Sequence, residues 1–173
     1  MESINAQLWI LLDVLIAAVL CSFIGGEREK LDKPAGLLTN MIMGSISCFF
    51  VAISPILNNY MVENVHLDQM SMDAVRILEA IVVGVSFIGA GAIIKSENKE
   101  QVKNLTTAST LLFSAGIGMA VALHVYVLAI GLTLVILTIN ALNEIRNFFG
   151  KRKKEREGAA DKHHGYHHES QTN

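Results

Sequence analysis

Five long apolar runs, separated by short polar stretches, constrain this sequence more than any other feature. A helix needs about 20 mostly apolar residues to cross a hydrocarbon core of about 30 Å. Helices also satisfy their own backbone hydrogen bonds in lipid. With 51% hydrophobic residues, the chain is too apolar for an ordinary soluble domain. We therefore predict five spans, at Gln7–Gly25, Gly36–Leu57, Ala74–Ile94, Leu105–Leu123 and Val125–Leu142.

Lysine and arginine are concentrated in alternate polar stretches, and this pattern predicts the orientation of the chain. They occur after the first span, after the third and after the fifth, whereas the segment before the first span has none. Arg76, just inside the third span, is the exception. Cytoplasmic stretches near span ends carry an excess of these residues. The predicted fold is therefore an all-α integral membrane protein with its N-terminus outside and its C-terminus in the cytoplasm.

The polar tail is expected to differ from the rest of the chain. Residues 1–142 are predicted to form one five-span membrane domain, and residues 143–173 a basic, histidine-containing cytoplasmic tail that is mainly disordered. The basic run at 151–156 is typical of an anchor at an anionic leaflet. We interpret metal binding by the tail histidines as an incidental property. Nothing beyond the tail charges indicates nucleic-acid binding.

Ionisable residues in the outer halves of two spans form a first candidate site. Asp13 and Glu79 are each predicted to lie roughly 9 Å below the outer boundary. A charge in a span costs about 2.5 kcal/mol or more unless it is paired or hydrated. We predict an intramembrane charge cluster of Asp13, Asp73, Arg76 and Glu79. Two interpretations stay open: an ion network that fixes helix packing, or a cation or proton site with Asp13 and Glu79 as candidate metal ligands.

Residues at the cytoplasmic ends of the spans form a second candidate site. Two glycines open the first loop, and charged residues follow them. Asn104 is placed to cap the fourth span, whose positive end would point toward Glu27 and Glu29. We predict a cytoplasmic functional cluster that joins the first loop, the glycine-rich part of the third span and the start of the fourth. Its members are Glu27, Arg28, Glu29, Lys33, Pro34, Gly89, Gly91, Thr106 and Thr107.

Small residues four apart in the third span, such as Ala80 and Gly84, favour close helix packing in lipid. A kinked segment that lines a cavity is the alternative. The sequence contains no Ser/His/Asp arrangement, no HExxH and no phosphate-binding loop. We therefore expect no enzymatic activity and no bound cofactor, with Mg²⁺ binding as an open alternative.

Three ordered sequence blocks resemble those of the MgtC/SapB family of bacterial inner-membrane proteins. The first block starts at Gly25 and ends at Thr39, with Glu27-Arg28-Glu29 and Lys33-Pro34-Ala35-Gly36-Leu37 inside it. The second runs from Arg76-Ile77 through Gly84 and Phe87 to Gly89-Ala90-Gly91. The third is Leu105-Thr106-Thr107-Ala108. Many members also carry a soluble C-terminal domain that resembles ACT domains, and this chain is expected to be a short form without it.

The resemblance implies a role in growth at low Mg²⁺ and in virulence, through survival inside host phagocytes. It also implies action through protein partners, of which the rotary ATP synthase is one for a well-known member. We therefore expect a non-enzymatic regulator of Mg²⁺-linked homeostasis in the inner membrane. Besides the lipid bilayer, its partners would be a second copy, with a dimer favoured, or other membrane proteins. The alternative is a Mg²⁺ or proton-coupled cation transporter or channel with Asp13 and Glu79 in its pathway.

Overall fold

The structure is a computed structural model that describes residues 4–65, 74–94 and 104–144. These ranges contain five α-helices, each long and apolar enough to cross a membrane, and no strand. The predicted all-α, five-span architecture is thereby confirmed, while its orientation stays a prediction. The helices are α1 (Ile4–Lys30), α2 (Leu37–Val65), α3 (Ala74–Ile94), α4 (Leu105–Ala122) and α5 (Tyr126–Glu144).

Two helices extend well beyond the predicted spans. Helix α1 continues past Gly25 to Lys30, and α2 continues past Leu57 to Val65. The predicted ends mark where hydropathy falls, whereas a helix ends where its backbone hydrogen bonds stop. The charged residues after Gly26 include good helix formers and do not interrupt the helix. The extension brings Arg28 onto α1, where the helix fixes its position.

A Schellman-type turn ends α1 and sets the direction of the short connection to α2. The Lys33 amide donates to the Arg28 carbonyl at 3.1 Å, and the Asp32 amide donates to the Glu29 carbonyl at 3.1 Å. Asp32 adopts the left-handed conformation that this turn requires, with φ of 49°. The connection is therefore an ordered turn, with its backbone bonded to the last turn of α1.

The same motif ends α4 and leads directly into α5. The Val125 amide donates to the Ala120 carbonyl at 3.0 Å, and the His124 amide donates to the Val121 carbonyl at 2.8 Å. His124 takes the left-handed position, with φ of 58°. This tight turn fixes His124 and the first residue of α5, Tyr126, beside each other.

Helix α4 is the most buried of the packed helices. Like α2, it contacts each of the other three helices among α1 to α4, whereas α1 and α3 do not contact each other over their described residues. Half of its apolar window is buried, the largest share of any span. The apolar core around it consists of Met43, Val51, Ile81, Val85, Leu111 and Ala115.

Helices α2 and α4 cross closely at Gly44 and Gly118. A Cβ on Gly118 would lie on the Gly44 carbonyl oxygen, 2.9 Å from the Gly44 carbonyl carbon and 3.1 Å from the Cys48 amide nitrogen. A Cβ on Gly44 would in turn collide with the Cys21 sulfur of α1. Three helices therefore meet here at a distance that only glycine allows.

The chain divides into two compact units, Met1–Ile136 and Leu137–Asn173. The first unit holds α1 to α4 and the first half of α5. All contacts described below lie within it. The boundary predicted between residues 142 and 143 stays a prediction.

Candidate functional site

Arg28, near the end of α1, is a fully buried charged residue. Its side chain is 1% exposed, and it is the largest side chain among those that the structure buries completely. A buried guanidinium is costly unless its donors are satisfied, because the protein must replace its hydration. The bonds that Arg28 makes therefore define the most demanding polar site in the described structure.

Neutral oxygens from the first loop and from α4 surround the Arg28 guanidinium. Nε and Nη2 donate to the Pro34 carbonyl oxygen at 3.2 and 3.0 Å. Nη1 donates to the Thr110 hydroxyl at 3.0 Å, and Nη2 also donates to the Thr107 hydroxyl. Arg28 thus ties the end of α1 to the loop and to the first two turns of α4. The name Arg28 network is used for six residues: Arg28, Pro34, Thr107, Thr110, Asn40 and Ser114.

Asn40 extends this network into α2. Its side-chain amide donates to the carbonyls of Ala35 and Gly36 at 2.6 and 2.9 Å, and it is completely buried. Its Oδ1 accepts a hydrogen bond from the Ser114 hydroxyl of α4 at 2.8 Å. Ala35 takes a left-handed backbone conformation, with φ of 58°, which exposes its carbonyl to this amide. The loop is therefore held from both sides, by Arg28 at Pro34 and by Asn40 at the next two residues.

Gly25 lets the loop lie directly against α1. A Cβ at this position would stand 2.5 Å from the Leu37 Cα and 2.7 Å from the Gly36 carbonyl oxygen. Both atoms belong to the backbone, so no side-chain rotation could relieve the contact. The first glycine of the sequence block thus has a packing role beneath the network.

The remaining charges of the predicted cluster lie at the surface around the Arg28 network. Glu29 is exposed, and its carboxylate accepts a hydrogen bond from the Leu37 amide at 3.2 Å, at the first turn of α2. An acceptor at a helix start satisfies one of the amides that the helix leaves free. Glu27 and Lys33 are partly exposed. The structure therefore brings the loop part of the predicted cluster together around one buried cation.

The two threonines of the predicted cluster have different surroundings. Thr107 is buried in the Arg28 network, whereas Thr106 is exposed.

The expectation that the Asn104 side chain caps α4 is wrong. Asn104 stands at the cap position with a left-handed φ of 71°, but its side chain makes no capping bond to α4. The side-chain amide of Asn104 instead donates to the Ala92 carbonyl of α3 at 3.4 Å.

The glycines of α3 also separate into two environments. A Cβ on Gly89 would lie 3.1 Å from the Ala108 Cβ, which marks close packing of α3 on α4. A Cβ on Gly91 would have no other atom within 4 Å. Gly89 thus supports the helix that carries Thr107, while Gly91 faces away from the packed helices.

Asp13 lies in a second polar site, at the α4–α5 turn. Its carboxylate is buried, and its Oδ1 accepts a hydrogen bond from the Tyr126 hydroxyl at 2.8 Å. Its Oδ2 lies 3.0 Å from Nε2 of His124, whose side chain is largely exposed. The Asp13 carboxylate thus ties α1 to the tight turn that begins α5.

Three members of the predicted four-residue charge cluster, Asp13, Arg76 and Glu79, do not meet within the described residues. Over those residues helices α1 and α3 do not contact each other, and both Arg76 and Glu79 are exposed on α3. Depth in the membrane follows from sequence position, but the helix faces that meet do not. Asp73, the fourth member, lies outside the described residues. Within those residues, no group of three or more His, Cys, Asp and Glu side chains is arranged to hold a metal ion.

The Asp13 contacts give a double-mutant prediction. Asp13→Ala and Tyr126→Phe should show a coupling free energy of about 1.5 kcal/mol, because the bond between them involves a charged acceptor. Asp13→Ala and Arg76→Ala should instead be additive within about 0.5 kcal/mol, since their helices do not touch. Unfolding monitored by circular dichroism in mixed detergent would measure both cycles. A larger coupling with Arg76 than with Tyr126 would contradict this site.

Several residues of the two sites were missed in the sequence. Asn40, Thr110, His124 and Tyr126 are absent from both predicted clusters. Thr110 bonds to Arg28, and His124 and Tyr126 bond to Asp13, whereas Asn40 bonds to the loop and to Ser114. A polar side chain within an apolar run is the signal that could have selected Asn40. His124 lies in the short break between two spans, where a polar residue is unremarkable.

Comparison with known proteins places these residues in a wider context. The model of the MgtC family matches residues 14–148. The chain belongs to the MgtC family. The match includes both Arg28 and the α4 threonines that bind it. No solved structure matches the chain significantly.

Three curated relatives extend the MgtC family comparison. YhiD of Escherichia coli K12 is 32% identical over 133 residues, which cover 76% of this chain and 60% of YhiD. SapB of Bacillus subtilis is 35% identical over 68% of this chain and 49% of its own length. MgtC of Salmonella typhimurium LT2 is 33% identical over 76% of this chain and 51% of its own length. The chain thus spans about half to three fifths of the length of these relatives. Its five apolar helices and these relatives make it a multi-pass membrane protein.

Proposed function

We propose that this chain is a non-enzymatic regulator of Mg²⁺-linked homeostasis in the bacterial inner membrane and that it acts through protein partners. The observation that carries the proposal is the Arg28 network. The donors of its buried cation bond to the loop and to α4. They therefore fix the shape of the side that the charge pattern predicts to be cytoplasmic. A fixed loop that presents Glu27, Glu29 and Lys33 to its surroundings has the properties of a docking surface.

Family membership supports the Mg²⁺-linked part of the proposal. The name of YhiD proposes magnesium transport for that protein, and MgtC gives the family its name. The partners proposed here are the lipid bilayer, a second copy in a dimer and other membrane proteins, with no nucleic acid. No cofactor is part of the proposal.

A growth assay tests the regulatory proposal. A strain that lacks its own family member would be complemented with the wild type and with Glu29→Gln, at low and at high Mg²⁺. We expect the Gln variant to lose most of the low-Mg²⁺ growth benefit, because its side chain is exposed and its charge belongs to the proposed docking surface. Lys30→Gln, the exposed neighbour, is the control for charge alone. Wild-type growth of Glu29→Gln, at equal amounts of membrane protein, would contradict the proposal.

A cation transporter is the second candidate, and the buried carboxylate of Asp13 inside a span favours it. Under this alternative, proteoliposomes with the purified protein would show Mg²⁺ or proton flux above that of empty liposomes. The combined Asp13→Asn and Glu79→Gln variant would then lose that flux while still inserting. The regulatory proposal predicts no flux from a folded sample, and flux that depends on these two carboxylates would replace it with the transporter.

A further inference from the structure

An apolar groove of about 640 Å³ opens between α2 and α3. Helix α3 lines it with a residue at every fourth position, namely Arg76, Ala80, Gly84 and Ile88. These residues cover about 18 Å at 1.5 Å per residue, which is roughly one leaflet of the hydrocarbon core. The groove is therefore long enough to receive a neighbouring helix over several turns.

A buried hydroxyl in the groove has no hydrogen-bond partner among the described residues. Ser47 of α2 lines the groove and is 1% exposed, and its Oγ has no hydrogen-bond partner within the described part of the chain. An unsatisfied buried hydroxyl costs about 1–3 kcal/mol by protein mutational data. An acyl chain could not offset this cost, since it carries no acceptor.

Packing among the described residues does not explain the glycines on this side of α3. A Cβ on Gly84 or on Gly91 would meet no other atom within 4 Å, unlike a Cβ on Gly89, which would meet Ala108. In lipid, small residues on a helix face permit a second helix to approach closely. The exposed face of α3 is thus shaped for a helix that the described chain does not supply.

The charges of α3 show which helix would fit. Arg76 and Glu79 are exposed, and no ion pair joins them within the described residues. Two copies related by a twofold axis along the membrane normal present parallel α3 helices at equal depth. Along the helix axis, Arg76 and the partner's Glu79 then differ in depth by about 4.5 Å, which an ion pair can span. The symmetry forms this pair twice and compensates both charges.

We propose that this groove and the adjoining face of α3 form the contact between two copies of the chain, with α3 against α3. The inference rests on the dimer proposed above and specifies the face that forms it. An anionic lipid headgroup would compensate Arg76 but would be repelled by Glu79. A second copy suits both charges.

Cysteine crosslinking in native membranes tests this face with the full chain. Under mild oxidation, Gly84→Cys should give a disulfide-linked dimer as the main species. The wild type is the baseline, because its own Cys21 and Cys48 are buried and free. Gly131→Cys on α5 is the matched control, since a Cβ there also meets nothing within 4 Å. Equal crosslinking of the two variants would overturn the inference, as would a monomeric Gly84→Cys protein that copurifies with phospholipid.

A charge exchange tests the ion pair. Arg76→Glu or Glu79→Arg alone places like charges together and should lower the dimer association constant about tenfold or more. The double exchange should restore it. A double variant no better than either single variant would overturn the pairing. Growth at low Mg²⁺, measured in parallel, separates the two proposals: a wild-type protein that supports growth but stays monomeric in the membrane would refute the dimer face and leave the regulatory role in place.

Discussion

Replacing Gly118 by alanine should lower the free energy of unfolding by at least about 2 kcal/mol, one of the two largest effects expected in this chain. The added methyl group would occupy the position of the Gly44 carbonyl oxygen and press on the Cys48 amide. Both atoms belong to the backbone of α2, so relief requires the helices to separate. Separation would also stretch the bond between Ser114 and Asn40, four residues away on α4.

Gly116→Ala is the matched control for this substitution. It lies on the same helix, and its Cβ would meet nothing within 4 Å. Alanine is the better helix former, so this variant should be as stable as the wild type or gain up to about 1 kcal/mol. Unfolding followed by circular dichroism in mixed detergent would measure both. Equal stability of the two variants would show that the α2–α4 crossing is looser than described.

Replacing Arg28 by lysine should cost about 2–4 kcal/mol of the free energy of unfolding, although the charge is retained. The planar guanidinium donates hydrogen bonds to Pro34, Thr107 and Thr110 at once, from three different nitrogens. A lysine ammonium carries its three N–H donors on one nitrogen, so it cannot reach all three acceptors. The buried threonine hydroxyls and the partly buried Pro34 carbonyl, left without their donor, account for most of the loss.

Thr107→Val supplies the second half of this test. In the wild type it removes one acceptor of the guanidinium and should be destabilising. In the Arg28→Lys protein it should cost clearly less, because the bond is already lost. Lys30→Arg, at the exposed end of α1, should leave stability within about 0.5 kcal/mol. Strict additivity of the Arg28 and Thr107 changes would contradict the network.

The number and type of the helices could be predicted from the sequence because lipid leaves few choices. An apolar run of about 20 residues in a membrane must form a helix. The ends were harder to predict. Helix α2 continues to Val65, beyond the predicted Leu57, because asparagines and a tyrosine end the apolar run without ending the helix.

The candidate sites could be predicted in part. The first sequence block identified Arg28 and Pro34 and the third identified Thr107, and the structure brings these three together. Asn40 was not identified, since its role depends on which face of α2 meets α4. The depth of Asp13 could be estimated from its position, but its partners could not. The α4–α5 turn brings Tyr126 to it from a residue far along the chain, and no sequence pattern encodes that contact.

The most direct test of the functional site is growth at low Mg²⁺ with the Arg28→Lys protein. The variant keeps its positive charge, so membrane insertion and orientation should be unchanged. At a membrane abundance matched to the wild type, we predict loss of the growth benefit, with full benefit from the Lys30→Arg control. Wild-type growth of the matched Arg28→Lys strain would contradict the account, because the loop would then function without the buried guanidinium that holds it.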